Sequence, residues 1–385
     1  MSKKKIAIIT HNYPDTVRDR KNAGVFVYDF AEELGKRSKV SVLHLSRRDS
    51  PFRVGQTKVF PLKWHVRKKL GHFNALNPLD YLTYTLSFLL AARSLLGFHI
   101  KNREIDFYLA MWALPSGLFG LILKTLFGKK YAVWVLGSDV YKYSKFPIVG
   151  YFIGQVIKRS DYVFADGIDL KNKAEELSGR EVLFLPSASK FNNKPLSKMR
   201  LARKKSKIRI TFLGRMEPVK GPDIFLSALG RLGSKISLLD VHMIGDGSLT
   251  KALIKEARLG KIGKHITFHG NISNPVRIKS ILSTSDWLVI PSRSDSIPLV
   301  FSEAMKARTP IIASDLPDLQ YLVKKYMVGL NFKKEDPKHL ALILSKAMKD
   351  EKKRESYKQN TVKAARDFDV RQSVRKFIKV VDGGD

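Results

Sequence analysis

The sequence has no cysteine among its 385 residues, so disulfide bonds and thiolate metal sites are excluded, and a reducing cytoplasm is expected. Acidic residues are also scarce: 35 Asp and Glu stand against 70 Lys and Arg, which gives a formal net charge of +35. This charge attracts polyanions in general, including nucleic acid, anionic lipid surfaces and phosphorylated small molecules. Charge alone does not choose among them.

Several motifs that would assign a partner are missing. There is no zinc-ligand spacing and no basic region followed by heptads, so nucleic acid is not an expected partner. The segment "IITHNYPDTVRDRKNAG" (8–24) lacks G-x-G-x-x-G after its strand-like run, which argues against a dinucleotide oxidoreductase. No signal peptide is visible, and charged residues, proline or glycine interrupt the two most apolar stretches, 81–98 and 108–127.

Short apolar runs alternate with helical patterns along most of the chain, as is typical of parallel sheets covered by helices. The alternation lapses in a polar, basic stretch near residue 190 and restarts at "IRITFLG" (208–214). The pattern predicts two doubly wound, Rossmann-like α/β domains that face each other across a cleft. We assign residues 1–190 and 208–365 to the domains, 191–207 to a basic linker, and 366–385 to a C-terminal helix for which packing back on the first domain is one arrangement.

The segment "FLGRMEPVKG" (212–221) ends a predicted strand and precedes a helix that begins near Pro222. It presents Arg215 and Lys220 at the carboxyl end of that strand. A guanidinium and an ammonium at this position suit a diphosphate, because Arg can engage two oxygens together and both groups stay charged. The alternative is a solvated basic turn on a very basic protein.

A second motif, "PSRSDSIPLVFSEAMKARTPIIASDLP" (291–317), consists of a strand end, a loop and a helix. The loop brings the N–H groups of a helix N-terminus to the same end of the sheet as the first motif. Asp295 in the loop and Glu303 on the helix could accept hydrogen bonds from ribose or sugar hydroxyls. The alternative is an acidic residue that favours the helix dipole, followed by a surface glutamate.

These motifs resemble those of the GT-B glycosyltransferases, in particular the retaining glycosyltransferase family 4. "GRMEPVKG" (214–221) is similar to the family's G-R-x-x-x-x-K-G, and residues 295–315 are similar to its E-x7-E segment. "MIGDG" (243–247) and "FHGNIS" (268–273) add to the likeness in the second domain. The first domain is less similar, in "NAGVFVYDFAEEL" (22–34), "MWALPSG" (111–117) and "LGSDVY" (136–141).

The resemblance implies a metal-independent hexosyltransferase without a cofactor, which moves a sugar from a nucleotide diphosphate sugar to an acceptor hydroxyl with retention. Arg215 and Lys220 would neutralise the diphosphate, Glu303 would bind the ribose, and Asp295 would contact sugar hydroxyls. Asp139 would lie near the acceptor side. The remaining donor-site positions that the resemblance implies contribute backbone or close approach: Gly24, Gly214, Gly245, Ile297, Leu299 and Val300.

Three positions depart from the family pattern. Asp295 stands where the family has a glutamate, Leu136 replaces a histidine, and "SASKF" (187–191) replaces an N-G-[VI]-D turn. A non-catalytic protein that binds sugar nucleotides or polyanions therefore stays open as an alternative, as does a nucleotide-sugar epimerase of the same architecture.

The predicted acceptor-side domain contains a basic and aromatic segment next to an apolar one. "PLKWHVRKKLGHF" (61–73) combines basic and aromatic residues, and the apolar stretch 81–98 follows it. This composition suits a surface that docks peripherally on the inner face of the cell membrane and receives a lipid-linked or membrane-proximal glycan. The alternative is an ordinary helical hairpin packed on the sheet.

Overall fold

The computed structural model of the chain describes residues 3–16, 24–66, 77–191 and 207–383. The chain divides into two compact units, the first comprising residues 1–186 with 373–385 and the second residues 187–372. Each unit is a parallel β-sheet covered by helices, so the predicted α/β fold class with two parallel-sheet domains is confirmed. Residues 192–206, which make up most of the predicted linker, lie outside the described residues.

In the described residues, the first unit has an eight-stranded sheet in the order β3-β4-β2-β1-β5-β6-β7-β8. All neighbouring strands are parallel except β3 and β4, which form an antiparallel pair. The strands are β1 (Lys5–Thr10), β2 (Lys39–Ser46), β3 (Phe52–Val54), β4 (Thr57–Lys63), β5 (Phe107–Met111), β6 (Lys130–Val135), β7 (Tyr162–Ala165) and β8 (Leu183–Phe184).

The helices of the first unit cover both faces of this sheet, which explains why its central strands are continuous apolar runs and not alternating ones. They are α1 (Val25–Leu34), α2 (Pro78–Lys101), α3 (Leu118–Phe127), α4 (Ser138–Tyr141), α5 (Pro147–Arg159) and α6 (Ile168–Ser178). Within the segment 61–98, residues 61–63 belong to β4 and residues from 78 onward to α2, whereas residues 67–76, which hold much of the predicted basic and aromatic segment, lie outside the described residues.

The last helix, α14 (Val370–Val381), packs on the first unit although it follows the second unit in the chain. The fully buried Phe377 ring lies 5.6 Å from the rings of both Phe30 and Phe164, centroid to centroid. The Ser373 hydroxyl donates to the carbonyl of Pro186 at 2.9 Å. The C-terminal segment thus completes the hydrophobic core of the first unit.

The second unit has a six-stranded, all-parallel sheet in the order β11-β10-β9-β12-β13-β14. Its strands are β9 (Ile208–Leu213), β10 (Leu239–Ile244), β11 (Ile266–Phe268), β12 (Trp287–Ile290), β13 (Ile311–Ser314) and β14 (Gly329–Phe332). Its helices are α7 (Pro222–Gly230), α8 (Thr250–Leu259), α9 (Pro275–Ser283), α10 (Leu299–Ala307), α11 (Pro317–Tyr326), α12 (Pro337–Ala347) and α13 (Glu351–Asp367).

The strand order of the second unit reverses between β9 and β12. At such a reversal the connections after the two strands leave toward opposite faces of the sheet and open a crevice at the carboxyl edge. The connections after β9 and β12 are the two motifs that the sequence singles out for binding a donor.

Candidate functional site

The loop after β9 carries Arg215 and Lys220 and ends in a short 3-10 turn over Pro218–Lys220. Gly221 follows with φ 66°, and a Cβ at this position would lie 2.0 Å from the carbonyl oxygen of Pro291. The glycine therefore lets the β9 loop lie directly against the end of β12. Helix α7 begins at the next residue.

The loop after β10 supports the β9 loop from its other side. Gly245 has φ 130°, and a Cβ there would lie 1.9 Å from the carbonyl oxygen of Gly214. The Met216 amide donates to the backbone carbonyl of Asp246 at 3.0 Å. Two of the predicted donor-site positions, Gly214 and Gly245, are therefore in direct backbone contact. Position 245 requires glycine because a Cβ there would clash with the Gly214 carbonyl.

The structure brings Lys220 and Asp295 together across the two loops. The Lys220 ammonium donates to both carboxylate oxygens of Asp295, at 2.8 and 2.7 Å, and both side chains are mostly shielded from solvent. Asp295 was predicted to contact sugar hydroxyls. In the structure its carboxylate pairs with Lys220, which was predicted to bind the diphosphate. Arg215 is exposed and forms no ion pair with any residue that the structure describes.

Arg293 is a residue of this site that sequence reasoning missed. Its guanidinium binds both oxygens of Asp223 at 2.9 and 2.6 Å, and its amide donates to the Val219 carbonyl at 2.9 Å. Burial alone would raise the pKa of Asp223, but the hydrogen bonds and charge of Arg293 outweigh it and lower that pKa. Arg293 thereby joins the β9 and β12 loops. The sequence shows an arginine and an aspartate at these positions, but only the structure shows that they form an ion pair.

Helix α10 begins at Leu299, with Pro298 as its N-cap. The N–H groups of Leu299 and Val300 lie in the first turn, ahead of the regular intrahelical bonds, and Ile297 precedes them in the loop. Glu303 stands about one turn beyond the helix start, and residues 295–298 form the loop before it. The predicted phosphate-facing amides thus share the strand-carboxyl edge with Lys220.

The predicted first-unit residues, Gly24 and Asp139, have local structural functions. Gly24 has φ 57°, and a Cβ there would lie 2.0 Å from the Asn12 carbonyl oxygen. The fully buried Asp139 carboxylate accepts from the amides of Ala113 at 2.8 Å and Gly137 at 3.1 Å. It therefore fastens the turn after β5 to the start of α4, and burial raises its pKa. Its position on the acceptor side stays a prediction.

His11 and Trp112 were not among the predicted site residues. They follow β1 and β5, which are neighbours in the first sheet, and their ring centroids are 4.4 Å apart. Trp112 has φ 70°, which is uncommon for a bulky residue and is often found at functional sites. Burial lowers the pKa of His11 to about 4, with a smaller effect of His44, so the imidazole is neutral at pH 7. A histidine directly after a buried strand was the available sequence signal.

Residues 193–364 match the family model for Glycosyl transferases group 1. The second unit carries a glycosyltransferase group 1 domain. Among the described residues, no group of three or more His, Asp or Glu side chains could hold a metal ion. In the same part of the chain, no helix is long and apolar enough to cross a membrane.

Curated relatives of the chain are named as glycosyltransferases. A D-inositol 3-phosphate glycosyltransferase of Jonesia denitrificans is 30% identical over 166 residues, which is 41% of this chain and 39% of that protein. One of Rhodococcus erythropolis is 30% identical over 191 residues, 46% of this chain and 43% of that protein. The chain thus aligns with about two fifths of their length. An uncharacterized glycosyltransferase of Methanocaldococcus jannaschii is 24% identical over 286 residues, 74% of this chain and 77% of that protein.

Solved structures match the glycosyltransferase domain and the first unit together. Anabaena Alr3699/HepE in complex with UDP has a TM-score of 0.73 at 14% identity, with 99% of this chain and 100% of that chain covered. Sucrose-phosphate synthase of Thermosynechococcus elongatus has a TM-score of 0.77 at 16% identity, with 99% of each chain covered. At these identities the likeness shows the fold, which is that of GT-B glycosyltransferases.

Proposed function

We propose that this protein is a retaining hexosyltransferase of glycosyltransferase family 4, which moves a sugar from a nucleotide diphosphate sugar to an acceptor hydroxyl. The observation that carries the proposal is the junction of the β9 and β12 loops at the carboxyl edge of the second unit's sheet. It gathers Arg215, Lys220 and the N-terminus of α10 at one edge of the sheet. A solved neighbour, Alr3699/HepE, was crystallised with UDP, which supports a nucleotide-sugar donor here.

The chemistry follows from where charge develops. When the sugar leaves, negative charge grows on the β-phosphate, and positive groups already fixed in position stabilise it. Arg215 is exposed and able to contact phosphate oxygens directly. Lys220 carries three N–H donors, so it can contact a phosphate while Asp295 still holds it. In this scheme the two cations and the helix N-terminus provide the charge that a divalent metal provides in other transferases.

We test the donor site with Arg215→Ala and Lys220→Ala. Loss of one charged contact to the developing anion raises the barrier by roughly 2 to 4 kcal/mol, a decrease in kcat of about 30- to 1,000-fold. The matched control is Lys255→Ala, which removes an exposed lysine from α8 in the same unit. Initial rates of transfer or donor hydrolysis are measured, and wild-type rates in both site variants would refute the donor-site assignment.

The nucleotide is identified by thermal shift against UDP, GDP and ADP. A ligand that binds only the folded state stabilises it by about 2.7 kcal/mol at one hundred times its Kd. Transfer is expected to persist in EDTA, and a strict metal requirement would contradict the proposed charge arrangement.

The competing hypotheses are a non-catalytic protein that binds sugar nucleotides or polyanions, and a GT-B-type epimerase. The family match and the named relatives do not favour them. Tight nucleotide binding without turnover of any donor in a broad panel would favour the first. Interconversion of donor sugars without an acceptor would favour the second.

For the acceptor, we propose a membrane-proximal or lipid-linked glycan at the inner face of the cell membrane. The support is the basic and apolar composition of the first unit together with the net charge of +35. Product formation with lipid-linked acceptors, compared with free oligosaccharides of the same sugars, tests this part of the proposal.

A further inference from the structure

Helix α2 exposes a row of leucines to solvent. Leu79, Leu82, Leu86 and Leu89 have relative exposures between 56% and 71%. Their spacing of three or four positions places them on one face of the helix, which we call the leucine stripe. The opposite face is buried in the core of the first unit through residues such as Leu95. The stripe is therefore an exposed apolar face on a helix whose opposite face already packs in the core of the first unit.

A second apolar surface lies at the start of α5. Phe146, Ile148, Tyr151 and Phe152 have relative exposures between 49% and 75%, and we call them the α5 patch. Scattered single apolar residues on a surface are ordinary, but a contiguous group of this size marks a site of interaction.

The leucine stripe and the α5 patch border the same region of the first unit. On α2, the ring of Tyr84 lies 6.0 Å from that of Trp64, at the end of β4. Burial raises the pKa of Tyr84 to about 12, and the neighbouring phenol of Tyr143 contributes to the rise. Tyr143 begins the short 3-10 turn that leads into the α5 patch. The N-terminal half of α2 is thus next to the segment that carries the patch.

Within the two segments that carry these surfaces, the charges have one sign. Residues 81–100 and 140–159 contain no Asp or Glu. The carboxylates just outside them, Asp80 and Asp139, are buried. The exposed charged residues within these ranges are all cations: Arg93, Lys142, Lys145, Lys158 and Arg159. Segments that combine exposed apolar side chains with cations are complementary to an anionic lipid interface.

A groove opens beside the α5 patch, between α5 and α6. It has a volume of about 390 Å³, and its polar lining includes Tyr151, Gln155, Lys158 and Ser178. Tyr151 belongs to both the groove and the patch, so a molecule in the groove would lie next to the apolar surface. A cation and several hydrogen-bonding groups at this place suit the phosphate of a lipid headgroup.

We propose that the leucine stripe and the α5 patch insert together into the interface of an anionic phospholipid bilayer, with a headgroup phosphate in the α5–α6 groove. Apolar side chains supply the insertion, and the cations supply attraction to the charged leaflet. The proposal rests on the proposed function in one respect, because it supplies the surface that brings the enzyme to a membrane-held acceptor. Lipid binding itself is measurable without donor or acceptor.

The absence of cysteine makes a direct test possible, because one introduced cysteine can be labelled alone. Leu86→Cys and Ile148→Cys are labelled with an environment-sensitive dye and mixed with phosphatidylglycerol–phosphatidylcholine vesicles. The matched control is Leu259→Cys in the second unit, where the leucine is 74% exposed. We expect a blue shift at positions 86 and 148 and none at 259, and no shift with vesicles of phosphatidylcholine alone.

Vesicle cosedimentation gives the contribution of each part. A fully buried leucine contributes about 10- to 100-fold in partitioning, so the triple variant Leu82→Gln, Leu86→Gln, Leu89→Gln should lose roughly 1,000-fold or more. The control Leu259→Gln, Leu342→Gln removes two exposed leucines from the second unit and should bind like wild type.

The charges are tested in the same assay. Lys142→Gln with Lys145→Gln should weaken binding roughly 25-fold, and the matched pair Lys251→Gln with Lys255→Gln should change it much less. Lys158→Gln should weaken binding to phosphatidylglycerol vesicles by about fivefold. Binding should also decrease as salt is raised, because ions screen the attraction.

The proposal is overturned if labelled positions 86 and 148 show no shift at low salt, or if the triple leucine variant binds vesicles like wild type. It is also overturned if sedimentation velocity shows a dimer that the triple variant converts to monomer, with no lipid binding in either form. Nucleotide thermal shifts of the same variants keep this outcome separate from failure of the donor site.

Discussion

At the scale of single residues, the proposed donor site depends on the pairing of Lys220 with Asp295. A glutamate in the family pattern is an aspartate here, and the shorter side chain holds the lysine through both oxygens. The pair explains how a lysine at a sheet edge keeps one orientation before any ligand arrives. It also means that part of the lysine's charge is neutralised when the site is empty.

We therefore predict opposite effects of Asp295→Asn on binding and on turnover. Removing the carboxylate leaves the Lys220 charge uncompensated, so free nucleoside diphosphate should bind as tightly as in wild type or more tightly. Transfer should slow by about 100-fold, because the lysine loses its fixed orientation and the sugar loses a hydrogen-bond acceptor.

Calorimetric titration with the nucleoside diphosphate gives its Kd, and initial-rate kinetics give kcat for transfer. Asp295→Glu, which keeps the charge, should retain substantial activity or change donor preference and serves as the conservative control. A parallel loss of nucleotide affinity and kcat in Asp295→Asn would place this side chain elsewhere in the mechanism.

At the scale of elements, the site depends on how closely the connections after β9 and β12 approach. Gly221 permits contact with the backbone of Pro291, and Arg293 binds across both loops. These contacts couple the start of α7 to the loop before α10. Close backbone contact between the two adjacent loops thus holds the candidate site together. Arg215 and Lys220 are carried by this pair of loops, which forms the frame of the site.

Gly221→Ala tests this frame. A side chain at φ 66° costs about 1 to 2 kcal/mol, and the approach of 2.0 Å to the Pro291 oxygen requires the loop to move as well. We expect a loss of roughly 3 kcal/mol or more in the free energy of unfolding, measured in urea. The matched control is Gly233→Ala, which has φ 57° but nothing within 4 Å of the added Cβ, so it should cost only about 1 to 2 kcal/mol. Equal losses would show that the contact with β12 contributes nothing.

At the scale of the whole molecule, the chain does not finish where its second sheet finishes. After α13 it returns to the first unit, where Phe377 contacts Phe30, Phe107 and Phe164. The first unit therefore depends on residues that follow the second unit in the sequence. The first unit is therefore built from two segments of the chain that are separated in sequence by the whole second unit.

This arrangement predicts which unit responds to a core mutation in α14. Phe377→Ala should cost roughly 3 to 5 kcal/mol through the cavity it leaves, and the loss should fall on the first unit. Hydrogen exchange should accelerate in β1, β5 and β7 and stay unchanged in β9 and β12. Phe332→Ala, a buried phenylalanine of β14, is the reciprocal control and should accelerate exchange in the second sheet. Equal acceleration in both sheets after Phe377→Ala would contradict the assignment.

Much of the fold was predictable because strands buried on both faces are continuous apolar runs. "KIAIIT" matches β1 residue for residue, and "IRITFLG" (208–214) extends one residue beyond β9. The strands not predicted, β3, β4 and β14, lack that signal: β3 and β4 contain basic residues, and the four-residue β14 begins with glycine. β3 and β14 lie at sheet edges and β4 is partly exposed, so none of the three requires a continuous apolar run.

The candidate site divides in the same way. Local chemistry was enough to propose Arg215, Lys220 and the α10 entrance as a candidate site, because their residue types and spacing within one loop or helix already suit a diphosphate. The partners of those residues depended on packing in three dimensions. Lys220 and Asp295 are 75 positions apart, and only the strand order, with β9 next to β12, brings them together. The exposed leucine stripe is of the same kind, since a helix pattern shows which face is apolar but not whether a neighbour covers it.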